Sequence, residues 1–178
     1  MSGTESSARF EELFSESDRG CILIGASALD DVLSSLLQKH LGRNNHVIKN
    51  AMEPLFAGMG PLSSFSARIK IAYCLGLIKQ WEFEDLERIR KIRNKAAHEY
   101  TAKTFTNNEI IQITQQLKGA DHAVTAMESK RIESDQPVNQ ENAATGQAIS
   151  KERLRFQLTV VYTAGRFDVL SQNALAHT

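Results

Sequence analysis

The stretch DRGCILIGASALDDVLSSLLQKHL, residues 18–41, decides the architecture. At about 100° per residue, Ile22, Ala26, Leu29, Leu33 and Leu36 fall on one broad stripe, the pattern of a helix with a buried face. Asp18 directly precedes the apolar-periodic run and is placed to cap it, because a short acceptor side chain can take up a free N–H of the first turn. Upstream, residues 6–15 predict a short helix with Phe10, Leu13 and Phe14 on one side. Downstream, GRNN at 42–45 interrupts the pattern. HVIKNAM then predicts a shorter helix that stops before Pro54, since the residue preceding a proline is disfavoured in the α region.

The segment EPLFAGMGPLSSF, residues 53–65, holds two of the three prolines together with Gly58 and Gly60. It lacks the Gly-Lys-Ser/Thr ending and the preceding strand of a phosphate loop. Pro61 in the first turn of the next helix is the better reading. That helix, residues 62–78, directs Phe65, Ile69, Ala72 and Leu75 or Gly76 to the core, with Gly76 allowing close backbone approach. Residues 82–100, EFEDLERIRKIRNKAAHEY, follow with acids in the first half and bases in the second. This order complements the helix dipole and offers the pairs Glu84–Arg88 and Glu87–Lys91. TNNEIIQITQQL, residues 106–117, predicts a helix with a Thr106–Glu109 capping box and an Ile110, Ile113, Leu117 stripe.

From Gly119 to Ser150 the composition turns polar without sustained periodicity, which predicts a flexible linker. The pattern returns in SKERLRFQLTVVYTAGRFDVL, residues 150–170, where Leu154, Leu158, Val161, Tyr162 and Gly165 share one face. Phe156, Val160 and Phe167 make a second. The organisation expected is a helical core over 1–118, a linker over 119–150 and a C-terminal helix over 151–178. That helix, apolar on two sides, is expected to pack on the core or on a second subunit, and a homo-oligomer follows from it. The fold class is all-α.

Composition sets limits on function. Lys+Arg and Asp+Glu both number 21, so the formal charge is zero and no global basic field draws the chain to phosphate backbones. Cys21 and Cys74 lie in apolar helical patterns away from any Cys/His cluster and read as reduced core residues. His40, His46, His122 and His177 show no ligand spacing, so no metal and no cofactor are expected. The N-terminus has no signal-peptide pattern and no later apolar run approaches membrane-spanning length, which predicts a cytoplasmic protein without membrane contact.

The segments AMEPLFAGMGPLSSFSARIKIAYCLGLIKQWEFEDLERIRKIRN, residues 51–94, and HEYTAKTFTNNEI, residues 98–110, resemble the mannitol operon repressor (MtlR/YggD) family of bacterial regulators. The shared frame is EPL…G.GPL, the Arg68 helix with LGLI, an acidic helix, and an aromatic residue before T..EI. The resemblance covers residues 20–115. It implies an all-helical transcriptional repressor without a recognisable DNA-binding domain, acting through protein partners such as a phosphotransfer or transcription-machinery protein.

One string has a second resemblance. Arg93-Asn94-x-x-x-His98 is similar to the Arg-x4-6-His motif of HEPN ribonucleases. His98 could move a proton near neutral pH, Arg93 could hold a phosphate, and Asn94 could fix the imidazole. The competing structural reading has Arg93 paired with a core-edge acid, Asp30 being the candidate, and His98 meeting carbonyls at the helix C-terminus. Arg90, Asn94 and His98 follow at i, i+4, i+8, so Arg90, Arg93, Asn94 and His98 form the candidate functional surface. A regulator without catalysis is the reading preferred here; a metal-independent ribonuclease or RNA-binding module is the runner-up. Direct sequence-specific DNA reading is disfavoured, because Glu82, Glu84, Asp85 and Glu87 occupy the half of the helix that a recognition helix presents to bases.

Overall fold

The computed structural model describes residues 11–42, 46–98, 104–134 and 149–176, with the side chains of 46–49, 98, 131–134 and 174–176 outside that set. Residues 11–15 form a helical turn. The helices that follow are α1 (Asp18–Gly42), α2 (His46–Phe56), α3 (Phe65–Cys74), α4 (Gln80–His98), α5 (Asn108–Gln115), α6 (Gly119–Ser134) and α7 (Lys151–Ala176). No strand occurs among the described residues.

Helix α1 is the axis of the bundle. Its stripe is buried as expected, with Ile22, Ala26, Leu29, Leu33 and Leu36 all essentially inaccessible. α7 packs along it most extensively, and α2, α3 and α4 pack on other parts of it. By length and composition alone α1 could cross a membrane, contrary to the expectation from sequence. Here it is a core helix, joined by Leu86, Ile89 and Ile92 of α4 and by Phe156, Val160 and Phe167 of α7 in one apolar cluster.

The ends of the helices explain themselves locally, though several differ from expectation by a residue. Ser17, not Asp18, caps α1, its Oγ accepting from the Gly20 N–H at 3.1 Å. Asn107, not Thr106, caps α5 by accepting from the Glu109 N–H at 3.0 Å. α2 continues two residues past Pro54 instead of stopping before it. The Ala57 N–H closes on the Glu53 carbonyl at 3.2 Å, so helical bonding continues past the proline, which itself withholds one donor from the ladder. Pro61 precedes α3 without belonging to it: Ser64 is the cap, and its Oγ accepts from the Ala67 N–H. Gly76 ends α3 with a φ of 70° and nothing near its missing side chain. Its role is the left-handed turn: the Leu77 N–H reaches the Ala72 carbonyl at 3.0 Å and the Gly76 N–H reaches the Tyr73 carbonyl at 2.9 Å, the Schellman pattern.

One larger correction concerns the C-terminal third. Residues 119–134, expected in the linker, form α6; residues 135–148 lie outside the described residues. α6 buries Ala120 and Ala123 and packs on α7. Gly119 is what lets it approach, since a Cβ there would lie 2.7 Å from Thr159 Cγ2. α7 in turn docks on α1 of its own chain through the face of Phe156, Val160, Ala164 and Phe167. The Leu154, Leu158, Val161, Gly165 face points the other way.

Candidate functional site

The sequence places Arg90, Arg93, Asn94 and His98 on the C-terminal half of α4, and the fold keeps them at the edge of the bundle. Arg90 is spent on its own helix. Its Nη2 and Nε donate to Glu87 Oε2 at 2.7 and 3.2 Å. The expected Glu87–Lys91 pair is thus replaced by Glu87–Arg90, which leaves Lys91 exposed. Asn94 is exposed and Arg93 half-buried, while the side chain of His98 lies outside the described residues.

The acid expected to meet Arg93 has another partner. Asp30 of α1 is gripped by Arg68 of α3, with Nε to Oδ1 and Nη2 to Oδ2 both at 2.7 Å. The remaining Arg68 nitrogen, Nη1, donates to the Leu62 carbonyl at 2.7 Å. Among the described residues no hydrogen bond joins Arg93 to Asp30, although Arg93 contributes weakly to the field there. The physical reason is reach: the α1–α3 contact lets the planar fork of Arg68 meet both carboxylate oxygens at once. Desolvation nevertheless raises the Asp30 pKa above its usual value, against the bonds and charge of Arg68.

Two more bases of α4, Arg88 and Lys95, are also occupied. Arg88 bonds Asp85 at 3.1 Å, lies 3.5 Å from Glu84 and reaches Gln116 at 3.4 Å. Lys95 pairs with Glu109 of α5 at 2.6 Å. Between α4 and α5 lies a hollow of about 270 Å³, with Phe83 and Ile113 among its apolar residues and Glu84, Glu87, Arg88 and Lys91 at its margin. Phe83 continues into a stack with the exposed Tyr73, ring centroids 4.7 Å apart. Mixed charges around a small apolar floor suit contact with a protein more than with a polyanion.

Three polar clusters escaped the sequence reading because their members come from different helices. Fully buried Glu82 receives the Lys79 N–H at 2.6 Å on one oxygen and Arg166 Nε at 2.6 Å on the other. The Arg166 guanidinium also sits 5.8 Å from the Trp81 ring centre, and Trp81 packs on His122 at 4.3 Å. Buried Asp85 caps α6 from outside that helix. Its Oδ2 accepts the N–H groups of Lys118 and Gly119 at 2.8 and 2.7 Å. Burial raises its pKa despite those bonds. Arg153 of α7 bonds Asp18 and the carbonyls of Phe14 and Glu16, fixing the 11–15 turn. The sequence signal for all three was the same, a charged residue inside an apolar stripe. Cys21 is buried as expected and its thiol is pushed up to about 11, chiefly by desolvation, which makes it inert; Cys74, expected in the core, is instead exposed at the end of α3. Among the described residues no group of three or more His, Cys, Asp or Glu could hold a metal ion.

Comparison with known proteins gives this geometry a context. The mannitol operon repressor of Escherichia coli strain K12 is 31% identical over 93 residues, 52% of this chain and 48% of that protein. The repressor of Escherichia coli O6:H1 gives the same values. The chain therefore spans about half the length of the curated relatives it matches. A chain of the MtlR–HPr complex from Escherichia coli has a TM-score of 0.67 at 22% identity, over 92% of this chain and 98% of that one. The possible transcriptional regulator YggD from Shigella flexneri 2a has a TM-score of 0.63 at 15% identity, over 98% and 99% of the two chains. At such identities these two likenesses show the fold. The family described as mannitol repressor, MtlR, matches residues 9–164, most of the sequence, and the chain belongs to that family.

Proposed function

We propose that the protein is a transcriptional regulator, a repressor of the mannitol operon repressor kind, that works by binding protein and not by reading DNA. The observation that carries this reading is the family match across residues 9–164. The charge arrangement of α4 supports it, because Arg88, Arg90 and Lys95, three of its five Lys and Arg residues, are engaged by Asp85, Glu84, Glu87 and Glu109. The first partner to try is a phosphotransfer protein of the HPr kind, since a solved chain of the same fold stands in a complex with HPr. A component of the transcription machinery is the other class.

The test is calorimetric titration of the full chain with HPr, beside a mobility-shift assay on mannitol-operon promoter DNA. Heat of binding to HPr with no retarded DNA is the expected outcome. Saturable, sequence-specific DNA retardation without any partner overturns it. The ribonuclease alternative is met by the same preparation: incubation with structured and unstructured RNA in chelator leaves RNA intact, whereas metal-independent cleavage abolished in His98→Ala would make Arg93, Asn94 and His98 an active site.

A further inference from the structure

Two helical glycines meet α7 within the fold, and a third lies in α7 itself. A Cβ on Gly25 of α1 would lie 2.8 Å from Phe156 Cε1, and one on Gly119 of α6 would lie 2.7 Å from Thr159 Cγ2. Both are glycine because α7 comes too close for anything larger. Gly165, in the interior of α7, has ordinary helical backbone and nothing within 4 Å of where its Cβ would be. A glycine there weakens the helix relative to alanine and returns nothing to the packing of this chain.

The residues around it are not those of a solvated face. At about 100° per residue Leu154, Leu158, Val161, Gly165 and Val169 fall within a sector of roughly 80°, opposite the Phe156, Val160, Phe167 core face. Leu154 is 45% exposed and Val169 55% exposed. Leu158 and Val161 are half-buried.

The charges at the two ends are complementary to each other. Lys151 is exposed, and Asp168 is half-buried without a hydrogen-bond or ion-pair partner among the described residues. If a second α7 lies antiparallel with its centre between Thr159 and Val160, three matches occur in a single register. Leu154 of one copy faces Gly165 of the other, Leu158 faces Val161, and Lys151 faces Asp168. Two-fold symmetry repeats each match.

We propose that this face of α7 is the seam of a homodimer, in which the Leu154 side chain of each copy enters the space left open at Gly165 of the other. The occupant is a second copy of this chain because the face complements itself in shape and in charge. The paired segment from Lys151 to Asp168 is about 25 Å long. That places the contact among the smaller specific interfaces, so micromolar self-association is expected.

Sedimentation velocity on the full chain, from 1 to 200 μM, reads the result. Wild type moves from monomer toward dimer across that range. Gly165→Arg, whose Cβ meets nothing within 4 Å in its own chain, keeps its helical circular dichroism and stays monomeric. Lys151→Asp and Asp168→Lys each weaken association by about tenfold through like-charge contact, and the double variant recovers it. A wild type that remains monomeric at 200 μM overturns the proposal. So does a dimer that Gly165→Arg leaves intact, or one that both single charge variants weaken and the double variant fails to restore.

Discussion

Arg68 holds Asp30 through two parallel bonds of 2.7 Å, and its third nitrogen fastens the Leu62 carbonyl at the same distance. One side chain therefore ties α1, α3 and the loop before α3 together, with both partners largely shielded from water. The same loop carries Gly60, where a Cβ would lie 2.2 Å from the Pro54 carbonyl oxygen. The EPL…G.GPL frame is in this sense a device for presenting the Leu62 carbonyl to Arg68.

Arg68→Ala should destabilise the protein by about 2–4 kcal/mol, because it leaves a half-buried carboxylate and a carbonyl unpaired. Arg68→Lys should recover only part of that, since an ammonium cannot meet both oxygens in one plane. Arg93→Ala, by contrast, should cost under about 1 kcal/mol, the range for a side chain without a specific partner. Urea denaturation of the three variants checks the order. An Arg93→Ala loss equal to that of Arg68→Ala would return Asp30 to the partner first expected for it.

The pH dependence follows from the same site. Desolvation raises the folded-state pKa of Asp30 and Asp85 above their unfolded values. A raised carboxyl binds more protons folded than unfolded, so its contribution to stability is greatest below about pH 3.8, the unfolded value, and is lost as pH rises through the folded pKa. The stability gap between Asp30→Asn and wild type should therefore shift in favour of wild type as pH falls from 6 to 4. In Arg68→Ala the unpaired Asp30 can protonate at pH 4, so the damage should be smaller there than at pH 8. Paired denaturation curves at the two pH values decide it; damage that grows on acidification contradicts the assignment.

What the sequence reveals and what it hides divide along one line. The stripe of α1 is legible because its period is local, and the two displaced caps are errors of choice between adjacent short polar residues, Ser17 and Asp18, or Thr106 and Asn107. α6 is hidden because its burial rests on Ala120 and Ala123 and its cap on Asp85, a residue from another helix. The two faces of α7 are both legible, but periodicity alone does not say which one turns inward. Of the candidate surface, the positions along α4 follow from helical spacing, whereas the pairing of Arg68 with Asp30 needs the α1–α3 crossing. Charge partners are a property of packing more than of pattern.

The buried pair of Glu82 and Arg166 joins the start of α4 to α7. Removing one partner leaves a charge with no water to solvate it, so Arg166→Ala should cost about 3 kcal/mol. Glu82→Gln should be milder, because an amide oxygen can still accept from the Lys79 N–H. Trp81 is the single tryptophan of the chain, and the Arg166 guanidinium lies over it. Its emission should shift to the red in Arg166→Ala while α-helical content is retained. An unchanged spectrum with unchanged stability would show that the ion pair does not fasten α7.

Gly25 and Gly165 provide the last prediction, because the same substitution should act with opposite sign at the two. At Gly25 an added methyl meets Phe156 Cε1 at 2.8 Å and Val160 Cγ2 at 3.1 Å, so α1 and α7 must separate. Gly25→Ala should destabilise by about 1–3 kcal/mol, the usual range for overpacking a well-filled core. At Gly165 the methyl meets nothing, and alanine removes the backbone freedom that glycine loses on entering a helix. Gly165→Ala should therefore stabilise the monomer by about 0.5–1 kcal/mol. Thermal unfolding at 1 μM, where monomer prevails, isolates this term from self-association. A fall in Tm for Gly165→Ala at that concentration would mean that the space above Gly165 is already filled by its own chain.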